Sequence, residues 1–513
     1  MQHPIQLVAT VSPKEHDQLV LAACGPYLVS VSLGKDRIVS KWAAEEATAQ
    51  IAHNGKDGDE EPPAKKKRTA ANGNAKPILL PNIIKLVTSP NQDYAVIVTD
   101  DKRVHVLAVR PDGGLGEVSQ RIMPKRPCAI QILPDNDTII IGDKFGDVYS
   151  LPLIPATTGE NADIKPDQPG KSSVSTPQSR ENQTFKPAAT ILTVHSKRNR
   201  RALEAQKQQK NFTPKKEALE FEHKLLLGHV SMLTDAVFTL KEVDGIRRGY
   251  IITADRDEHI RISRGPPQAH IIEGYCLGHT EYISKLCLIG GTDMLISGGG
   301  DDWLGIWDWP TFTLRRKFSL QDDVLNLLKT TGHEKEVEKT RFNVSGLWAI
   351  SYSAHHSRTS TKEPALAVAL ERKPMLLIIP VSVLQTKAES QHTVHRLPAP
   401  PLDVAVLGES IIVTLDARKD GQSRIQALKL ESPAVENQVE GLLDVTVDEK
   451  VEEKIKCLTN EAGIGQEMDE KALDGLLYGV ADLRKKRGGG EGGDEKDAEA
   501  DEGDPQEADA VDD

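Results

Sequence analysis

The chain has 513 residues, of which 38% are hydrophobic, and it carries a formal net charge of -12 at pH 7. Residues 491–513 contain twelve acidic side chains and one lysine, so this tail holds nearly all of the excess charge and the rest of the chain is close to neutral. The five cysteines are scattered and form no CxxC pair, which excludes a disulfide framework or a zinc site and indicates a reducing compartment.

The N-terminus, MQHPIQLVAT, has neither the basic start nor the continuous apolar stretch of a signal peptide. No apolar run in the sequence is long enough to cross a bilayer. We therefore expect a soluble intracellular protein.

Three segments in the first 152 residues each consist of an apolar strand, a polar turn and a second apolar strand, which is the pattern of a β-hairpin. They are VSLGKDRIVSKW (31–42), VIVTDDKRVHVLAV (96–109) and IIIGDKFGDVYSL (139–151). Three other stretches have the composition of insertions between such elements: residues 43–76, 154–190 and 191–224.

The insertion at 43–76 contains a basic run near two prolines, made up of Lys65, Lys66, Lys67 and Arg68. A short basic run in a flexible context is typical of a nuclear import signal, and on this ground we expect a nuclear protein. The alternative is a solvated charge run that no receptor reads.

The other two insertions differ in chemistry. Residues 154–190 are rich in Ser, Thr, Pro, Gln and Asn and predict a disordered surface loop. Residues 197–216 carry eight lysines and arginines against one glutamate, which favours a basic helix whose first cations contact nucleic-acid phosphate. These candidate contacts are Lys197, Arg198, Arg200 and Arg201. The helix lacks interleaved aromatics, so its contacts would position a nucleic acid without reading its sequence; a solvated helix without a ligand is the alternative.

Two stretches further along repeat each other, LLGHVSMLTDAVF (226–238) and CLGHTEYISKLCL (276–288), with Gly-His pairs fifty residues apart. Each leads through a β-type segment to an Asp-rich turn, and the second turn is followed by Trp307 and Asp308. A Gly-His pair, a turn aspartate and a Trp-Asp pair form the signature of a WD-repeat propeller blade.

Superposing the two Asp-rich turns aligns Asp257 with Asp301. We expect His229 to hydrogen-bond Asp257 within its own blade. In the next blade we expect the same bond between His279 and Asp301. Trp307 completes this structural motif.

Two more hairpin patterns follow, at 367–381 and 410–430. The set then numbers seven, and without the insertions the average blade is close to the roughly 40 to 45 residues of a WD repeat. The predicted fold is therefore all-β, a seven-bladed WD-repeat β-propeller over residues 1–430. We expect the first strand, IQLVAT, to complete the sheet of the last blade and so close the ring.

Beyond residue 430 we expect a linker (431–467), an amphipathic helix (468–488) and a disordered acidic tail (489–513). The helix is predicted because five apolar side chains recur at helical spacing, with acidic residues before them and basic residues after them. They are Leu473, Leu476, Leu477, Val480 and Leu483. The helix packs on the rim of the propeller or, alternatively, docks to a partner.

No stretch of the sequence predicts catalysis. The glycines at 298–300 lie inside a predicted hairpin, where they cannot present a helix N-terminus to phosphate. No histidine has partners at metal-ligand spacing, and no nucleophile elbow is present. We therefore expect no metal, no cofactor held by this chain and no enzymatic activity.

The run DRDEHIRIS (255–263) carries more charge than a hairpin turn needs. Together with LGHVSMLTD, LGHTEYIS and IWDW it closely resembles the non-catalytic WD-repeat subunit of the tRNA (guanine-N7)-methyltransferase, above all the fungal members. GDKFGDVYSLP (142–152) and LLYGVADLRKKRG (476–488) resemble further blocks of this family. The resemblance covers the third to fifth predicted blades and the C-terminal helix.

This resemblance implies a heterodimer with a catalytic subunit that binds S-adenosylmethionine and methylates N7 of a guanosine in the tRNA variable loop. In that family the propeller holds the catalytic subunit in an active conformation. If the resemblance holds, tRNA is the nucleic acid that the basic segment 197–216 would contact, a contact we infer from the charge of the segment. The resemblance further implies that Arg261 pairs with an acid on the partner, and we extend this role to Arg256 and Glu258 from their charge. The alternative for Arg261 is a solvated, outward-facing strand residue. The alternative function is a general nuclear WD-repeat scaffold in ribosome assembly or chromatin.

Overall fold

The computed structural model describes residues 3–12, 17–44, 80–155, 221–322, 342–356, 359–386, 392–419, 421–433, 442–460 and 468–485. The predicted import signal, the basic segment 197–216 and the acidic tail lie outside these residues, as does most of each predicted insertion. The chain divides into two units, Met1–Leu153 with Lys224–Asp513, and Ile154–His223. Of the second unit only residues 154–155 and 221–223 are described, and there the His223 ring bonds the Phe221 carbonyl oxygen at 2.8 Å.

The described secondary structure is mostly β, in antiparallel meanders of four strands whose order in the sheet follows their order in the chain. The first meander comprises β1 (Leu7–Val11), β2 (Leu19–Cys24), β3 (Tyr27–Ser32) and β4 (Arg37–Ala43). The second comprises β5 (Ile83–Thr88), β6 (Tyr94–Thr99), β7 (Arg103–Val109) and β8 (Leu115–Ile122). The third comprises β9 (Pro127–Ile132), β10 (Thr138–Asp143), β11 (Asp147–Pro152) and β12 (Lys224–Gly228).

The later meanders repeat this arrangement. The fourth comprises β13 (Leu233–Val243), β14 (Ile246–Asp255), β15 (Ile260–Arg264) and β16 (Ile272–Cys276). The fifth comprises β17 (Ile283–Leu288), β18 (Met294–Gly299), β19 (Trp303–Asp308) and β20 (Thr313–Ser319), with a 3-10 turn at Trp309–Thr311. The sixth comprises β21 (Val344–His356), β22 (Thr359–Leu370), β23 (Met375–Pro380) and β24 (Thr393–Arg396), with the short helix α1 (Val381–Gln385). The seventh comprises β25 (Pro401–Leu407), β26 (Ser410–Leu415), β27 (Ile425–Glu431) and β28 (Asp444–Val447). A parallel bridge between Ser353 and Glu431 joins the last two into one sheet.

The middle strands of the meanders are buried on both faces. Every residue of β2, β23 and β26 is buried, and all three strands are nearly continuous apolar runs. A strand covered on both faces requires such a run, whereas a strand with one wet face alternates. The sequence therefore specifies sheets that are stacked between neighbours.

The hydrophobic core lies in layers between consecutive meanders. One layer joins the fourth and fifth meanders and another joins the sixth and seventh. A further layer joins the first meander to the seventh, so the described sheets follow one another in a closed series. Two hydrogen bonds support this last contact: the Val8 N–H donates to Asp403 Oδ2 at 2.9 Å, and the Thr10 hydroxyl donates to the Val406 carbonyl oxygen at 2.7 Å.

The first strand does not complete the last sheet, contrary to the expectation from the sequence. β1 pairs with β2 inside the first meander, with Leu7 opposite Ala23 and Val11 opposite Leu19. The seventh meander needs no strand from the N-terminus because β28 pairs with β27 as its fourth strand. The ring closes through side-chain packing and the two hydrogen bonds above instead of a shared sheet.

The segment 431–467, predicted to be a linker, contains β28 and two short helices, α2 (Glu449–Ile455) and α3 (Cys457–Asn460). Asp448 caps α2 by accepting the N–H of Val451 at 3.2 Å. Ile455 and Leu458 are buried against the first and seventh meanders. The folded unit therefore extends past residue 430, through elements too short to produce a periodic sequence signal.

The C-terminal helix is shorter than the predicted range 468–488. Helix α4 (Glu470–Leu477) begins after Asp469, whose carboxylate accepts the N–H of Ala472 at 2.6 Å. It ends at Leu477, and the next residue, Tyr478, has extended backbone angles. A 3-10 turn at Ala481–Leu483 follows. Of the predicted apolar stripe, Leu473 is the buried member.

Candidate partner-docking surface

The turn of the fifth meander is closed by a buried hydrogen-bond network. The His279 ring lies 2.7 Å from Asp301 Oδ2 through Nδ1 and 2.6 Å from the Ser297 hydroxyl through Nε2. The indole N–H of Trp307 donates to the same hydroxyl at 2.7 Å. Burial alone would raise the pKa of Asp301, but hydrogen bonds from His279 and Thr280 outweigh burial and hold that pKa below its ordinary value.

The fourth meander has a related network built on a different aspartate. His229 Nε2 lies 2.8 Å from the Thr253 hydroxyl, and its Nδ1 lies 3.5 Å from Asp255 Oδ2. The other oxygen of Asp255 accepts the N–H groups of Asp257 at 2.9 Å and His259 at 3.0 Å. The aspartate that serves the blade is therefore Asp255, and the assignment of Asp257 to this role was wrong.

The alignment of the two turns explains the error. The turns have equal length, so Asp257 does correspond to Asp301 in position. Asp255 corresponds to Gly299, which has no side chain. In the fourth meander Asp255, at the end of β14, is the carboxylate that lies against His229. The turn aspartate, Asp257, is therefore free to make another contact.

That contact is with the chain's own C-terminal segment, residues 468–485. Lys485 Nζ lies 3.0 Å from Asp257 and 3.4 Å from Glu258. The hydrogen bond to Asp257 raises the pKa of Lys485 above its ordinary value. Arg256 Nε donates to the Leu483 carbonyl oxygen at 2.9 Å. Arg256 and Glu258, predicted to bind a partner, are thus engaged within the molecule, and much of the charge in the run 255–263 is explained.

The C-terminal segment continues across the later meanders. Glu371 accepts three consecutive backbone N–H groups, from Gly479, Val480 and Ala481, at 3.0, 2.9 and 3.0 Å. A carboxylate that accepts several N–H groups is a strong, charge-assisted anchor. It also explains why α4 stops, because these three groups point at Glu371 and leave the helical path.

Ion pairs flank this anchor on both sides. Asp474 lies 3.1 Å from Arg372 and 2.6 Å from Arg418. On the other side, Arg484 pairs with Glu281 at 2.8 Å and donates to the Gly300 carbonyl oxygen at 2.7 Å. The segment therefore bridges turns of the fourth to seventh meanders.

Arg261 is buried, unlike the exposed strand residue considered from the sequence. It is 8% exposed, and burial lowers the pKa of its guanidinium. Its Nε donates to the Ser263 hydroxyl at 3.0 Å, and one terminal nitrogen donates to the Gly228 carbonyl oxygen at 2.9 Å. Arg261 thus ties the third strand of the fourth meander to the end of β12 in the third meander, where the loop into the fourth meander begins.

Apolar side chains are exposed near Gly228, which Arg261 contacts, and on the strand that pairs with Arg261. Val230, two residues after Gly228, is fully exposed. Tyr275 lies opposite Arg261 in the β15–β16 ladder and is 42% exposed, and Leu277 after it is 61% exposed. We call Val230, Arg261, Tyr275 and Leu277 the Arg261 surface. Exposed apolar groups clustered around a cation are typical of a protein-binding site.

The described residues offer little for catalysis. They contain no group of three or more His, Cys, Asp or Glu that could hold a metal ion. Burial raises the pKa of the Cys276 and Cys287 thiols to about 12, so neither supplies a thiolate at neutral pH. No helix of the described residues has the length and apolar character of a membrane span.

Comparison with known proteins gives consistent matches. The family model described as the tRNA methyltransferase TRM82 WD40 domain matches residues 20–439. An Aspergillus oryzae protein named tRNA (guanine-N(7)-)-methyltransferase non-catalytic subunit trm82 is 35% identical over 525 residues, covering 95% of this chain and 98% of that protein. A protein of the same name from Phaeosphaeria nodorum is 36% identical over 475 residues, covering 88% of this chain and 91% of that protein. A protein of the same name from Coccidioides immitis is 44% identical over 296 residues, covering 57% of this chain and 55% of that protein.

Proposed function

The chain belongs to the tRNA methyltransferase TRM82 WD40 family, and we propose that it is the non-catalytic subunit of a tRNA (guanine-N7)-methyltransferase. The observation that carries this proposal is the 35% identity to a subunit of that name over 95% of the chain. The names of these relatives favour this function over a general scaffold in ribosome assembly or chromatin.

The fold is the all-β WD40 fold. We propose that its meanders are the blades of a seven-bladed propeller, closed where β25 packs against β1. In this arrangement the C-terminal segment lies across four blades, which stiffens the frame that a partner would dock on.

We propose that the partner is a catalytic subunit that holds S-adenosylmethionine and forms a heterodimer with this chain. The propeller then contributes rigidity and a docking surface, while the chemistry on guanosine N7 belongs to the partner. Co-expression of the two chains should give one peak in size-exclusion chromatography and methylation of tRNA. The chain alone should transfer no methyl group, and failure of the mixed chains to form a complex would count against the proposal.

We propose the Arg261 surface as the docking site. Arg261 already donates two hydrogen bonds internally, so it would offer a partner carboxylate only the remainder of its guanidinium. The exposed Val230, Tyr275 and Leu277 would supply the apolar contact area around that ion pair. Aromatic and arginine side chains with this arrangement are frequent interface hot spots.

A matched pair of variants tests this surface. Leu277→Asp places a charge in the proposed interface and should weaken partner binding by roughly tenfold or more. Ile246→Asp is the control, because Ile246 is 57% exposed in the β13–β14 hairpin outside the surface. Dissociation constants from calorimetry decide between them, and equal affinities for the two variants would place the interface elsewhere.

Two further proposals concern segments outside the described residues. The run Lys65–Arg68 directs nuclear import, and its replacement by alanine should move a fluorescent fusion to the cytoplasm. Lys197, Arg198, Arg200 and Arg201 contact tRNA phosphate by releasing counterions. Their replacement by glutamine should reduce the salt dependence of tRNA binding by the complex, and an unchanged slope would exclude the contact.

A further inference from the structure

Six of the seven first strands carry an irregularity at the same place in their ladders. The register shifts after Ile83, Leu233 and Ile283, and equivalent shifts occur in β9, β21 and β25. Residues at these bulges line one cavity of about 370 Å³. Residues 475–480 and Leu483 of the C-terminal segment also line the cavity.

Two lysines occupy equivalent bulge positions in this cavity. Lys85 and Lys285 each follow the bulge of their strand, β5 and β17, and both line the cavity. Within the described part of the chain neither ammonium group has an ion-pair or hydrogen-bond partner. Arg126 and Lys144 add positive charge to the same lining.

Asp235 and Asp403 occupy the equivalent positions after the bulges of β13 and β25, and both carboxylates already accept hydrogen bonds. Asp235 accepts the N–H groups of Ala236 at 2.9 Å and Leu286 at 2.8 Å. Asp403 accepts from Val8, Val404 and the indole N–H of Trp348 at 2.9, 2.9 and 3.0 Å. These carboxylates hold neighbouring first strands together and do not neutralise the lysines by direct contact.

The lysines repel each other across the cavity. The charge of Lys285, followed by burial, lowers the pKa of Lys85 to about 8, and the charges of Asp235 and Asp403 oppose this shift without contacting the ammonium group. A cavity with two unpaired ammonium groups, further cations on its wall and no carboxylate bonded to either lysine is suited to a ligand of opposite charge. We propose that it binds a small phosphate-type oxyanion between Lys85 and Lys285.

The size and lining of the cavity restrict the ligand class. A volume of about 370 Å³ holds a phosphate with its remaining waters or the phosphate end of a small monoester. Free phosphate and a phosphate monoester share the chemistry that the lysines recognise.

Calorimetric titration of the full-length chain with inorganic phosphate, in chloride buffer of constant ionic strength, tests the proposal. The wild type should bind one phosphate per chain. Lys85→Gln and Lys285→Gln should each weaken binding roughly 10- to 100-fold, the loss that removal of one charge-assisted hydrogen bond produces. Titration with a nucleoside 5′-monophosphate separates the two ligand sources, since tighter binding than phosphate indicates a monoester and weaker binding indicates the free ion.

Lys241→Gln is the matched control, because Lys241 is already paired with Asp293 at 2.5 Å. It should bind phosphate as the wild type does. The variants at Lys85 and Lys285 should melt close to the wild type without phosphate, since each loses the repulsion between the lysines together with an attraction to Asp403. The proposal is overturned if the wild type takes up no phosphate, or if the variant lacking both lysines binds phosphate with wild-type affinity. The test uses this chain alone and is independent of the methyltransferase proposal.

Discussion

The turns of the fourth and fifth meanders have the same length and the same strand register, but they use their carboxylates differently. In the fifth, Asp301 bonds His279 and Thr280, which precede the first strand of the same meander. In the fourth, Asp255 takes the histidine, and Asp257 is left to bind Lys485. In the fourth meander the aspartate that bonds the histidine lies two residues earlier than in the fifth. The turn aspartate is therefore available to bind the C-terminal segment, although the strand register is the same.

The third strands of the two meanders, β15 and β19, also differ at aligned positions. Gly305 and Trp307 of the fifth meander correspond to Arg261 and Ser263 of the fourth. The Trp307 indole donates inward to Ser297, whereas Arg261 donates along its own strand and to the loop at Gly228. The fifth meander therefore has a closed aromatic network, and the fourth has a buried cation beside an exposed apolar surface.

The largest expected effect separates the two aspartates. Asp301→Ala should lower the free energy of unfolding by roughly 3 kcal/mol, because it leaves His279 and the Thr280 N–H without their buried acceptor. Asp257→Ala should cost less than about 1 kcal/mol, since its pair with Lys485 is half exposed. Urea unfolding of both variants gives the comparison, and equal losses would mean that the two turns work alike.

The second-largest loss of stability is expected on substitution of Arg261. Arg261→Ala removes the donors to Ser263 and Gly228 and should destabilise the fold by roughly 2 kcal/mol. Arg264→Ala in the same strand is the control, because its pair with Glu273 is partly exposed and worth at most about 1 kcal/mol. Thermal unfolding of the two variants measures the difference. If Arg261→Ala is as stable as the wild type, the buried bonds do not support the loop at Gly228.

A third prediction concerns the C-terminal segment. Glu371→Ala removes the acceptor of three backbone N–H groups and should lower the free energy of local opening of residues 468–485 by about 1–2 kcal/mol. Limited trypsin digestion should then cut the segment faster, with little change in the main unfolding transition. Glu470→Ala, at an exposed acid of the same segment, is the control. Equal cleavage of both variants would show that Glu371 is not the anchor.

The smallest expected effect is on pH dependence. The hydrogen bond from Arg418 holds the pKa of Asp474 below its ordinary value, although partial burial opposes this and Arg372 adds to it. A carboxyl with a lowered pKa in the folded state stabilises above its unfolded pKa of about 3.9, and this contribution is lost as the pH falls further. Amide hydrogen exchange of 468–485 should therefore accelerate below about pH 4, after correction for the intrinsic rate. Asp474→Asn should show a smaller change, and an identical profile would exclude this group.

The hairpins and the repeated Gly-His motifs were predictable because they are local. His279, Asp301 and Trp307 follow from spacing within one meander. Asp255 did not, since an alignment by position cannot show which of two nearby carboxylates reaches the histidine. The burial of Arg261 was not predictable, because alternation along a strand assigns every second residue to an outer face, and in stacked sheets both faces are covered.

The end of α4 illustrates the other limit of the sequence. Its apolar spacing continues to Leu483 as if the helix did too. The helix stops at Leu477 because Glu371, more than one hundred residues away, accepts the next N–H groups. An anchor that distant leaves no local signal. The exposure of Val230 and Leu277 also has no signal in the sequence, since apolar residues beside Gly-His pairs are typical of ordinary strand ends.

The contact between Val8 and Asp403 joins groups 395 residues apart. During synthesis on the ribosome, at roughly 5–20 residues per second, Val8 emerges about 20–80 s before its acceptor exists. Throughout that time the N-terminal sheet has one apolar face with no neighbour, because the sheet that covers it is made last. The nascent chain therefore passes through an open, aggregation-prone form, and a chaperone that shields the first sheet should raise the yield of folded protein more than one that acts on the completed chain.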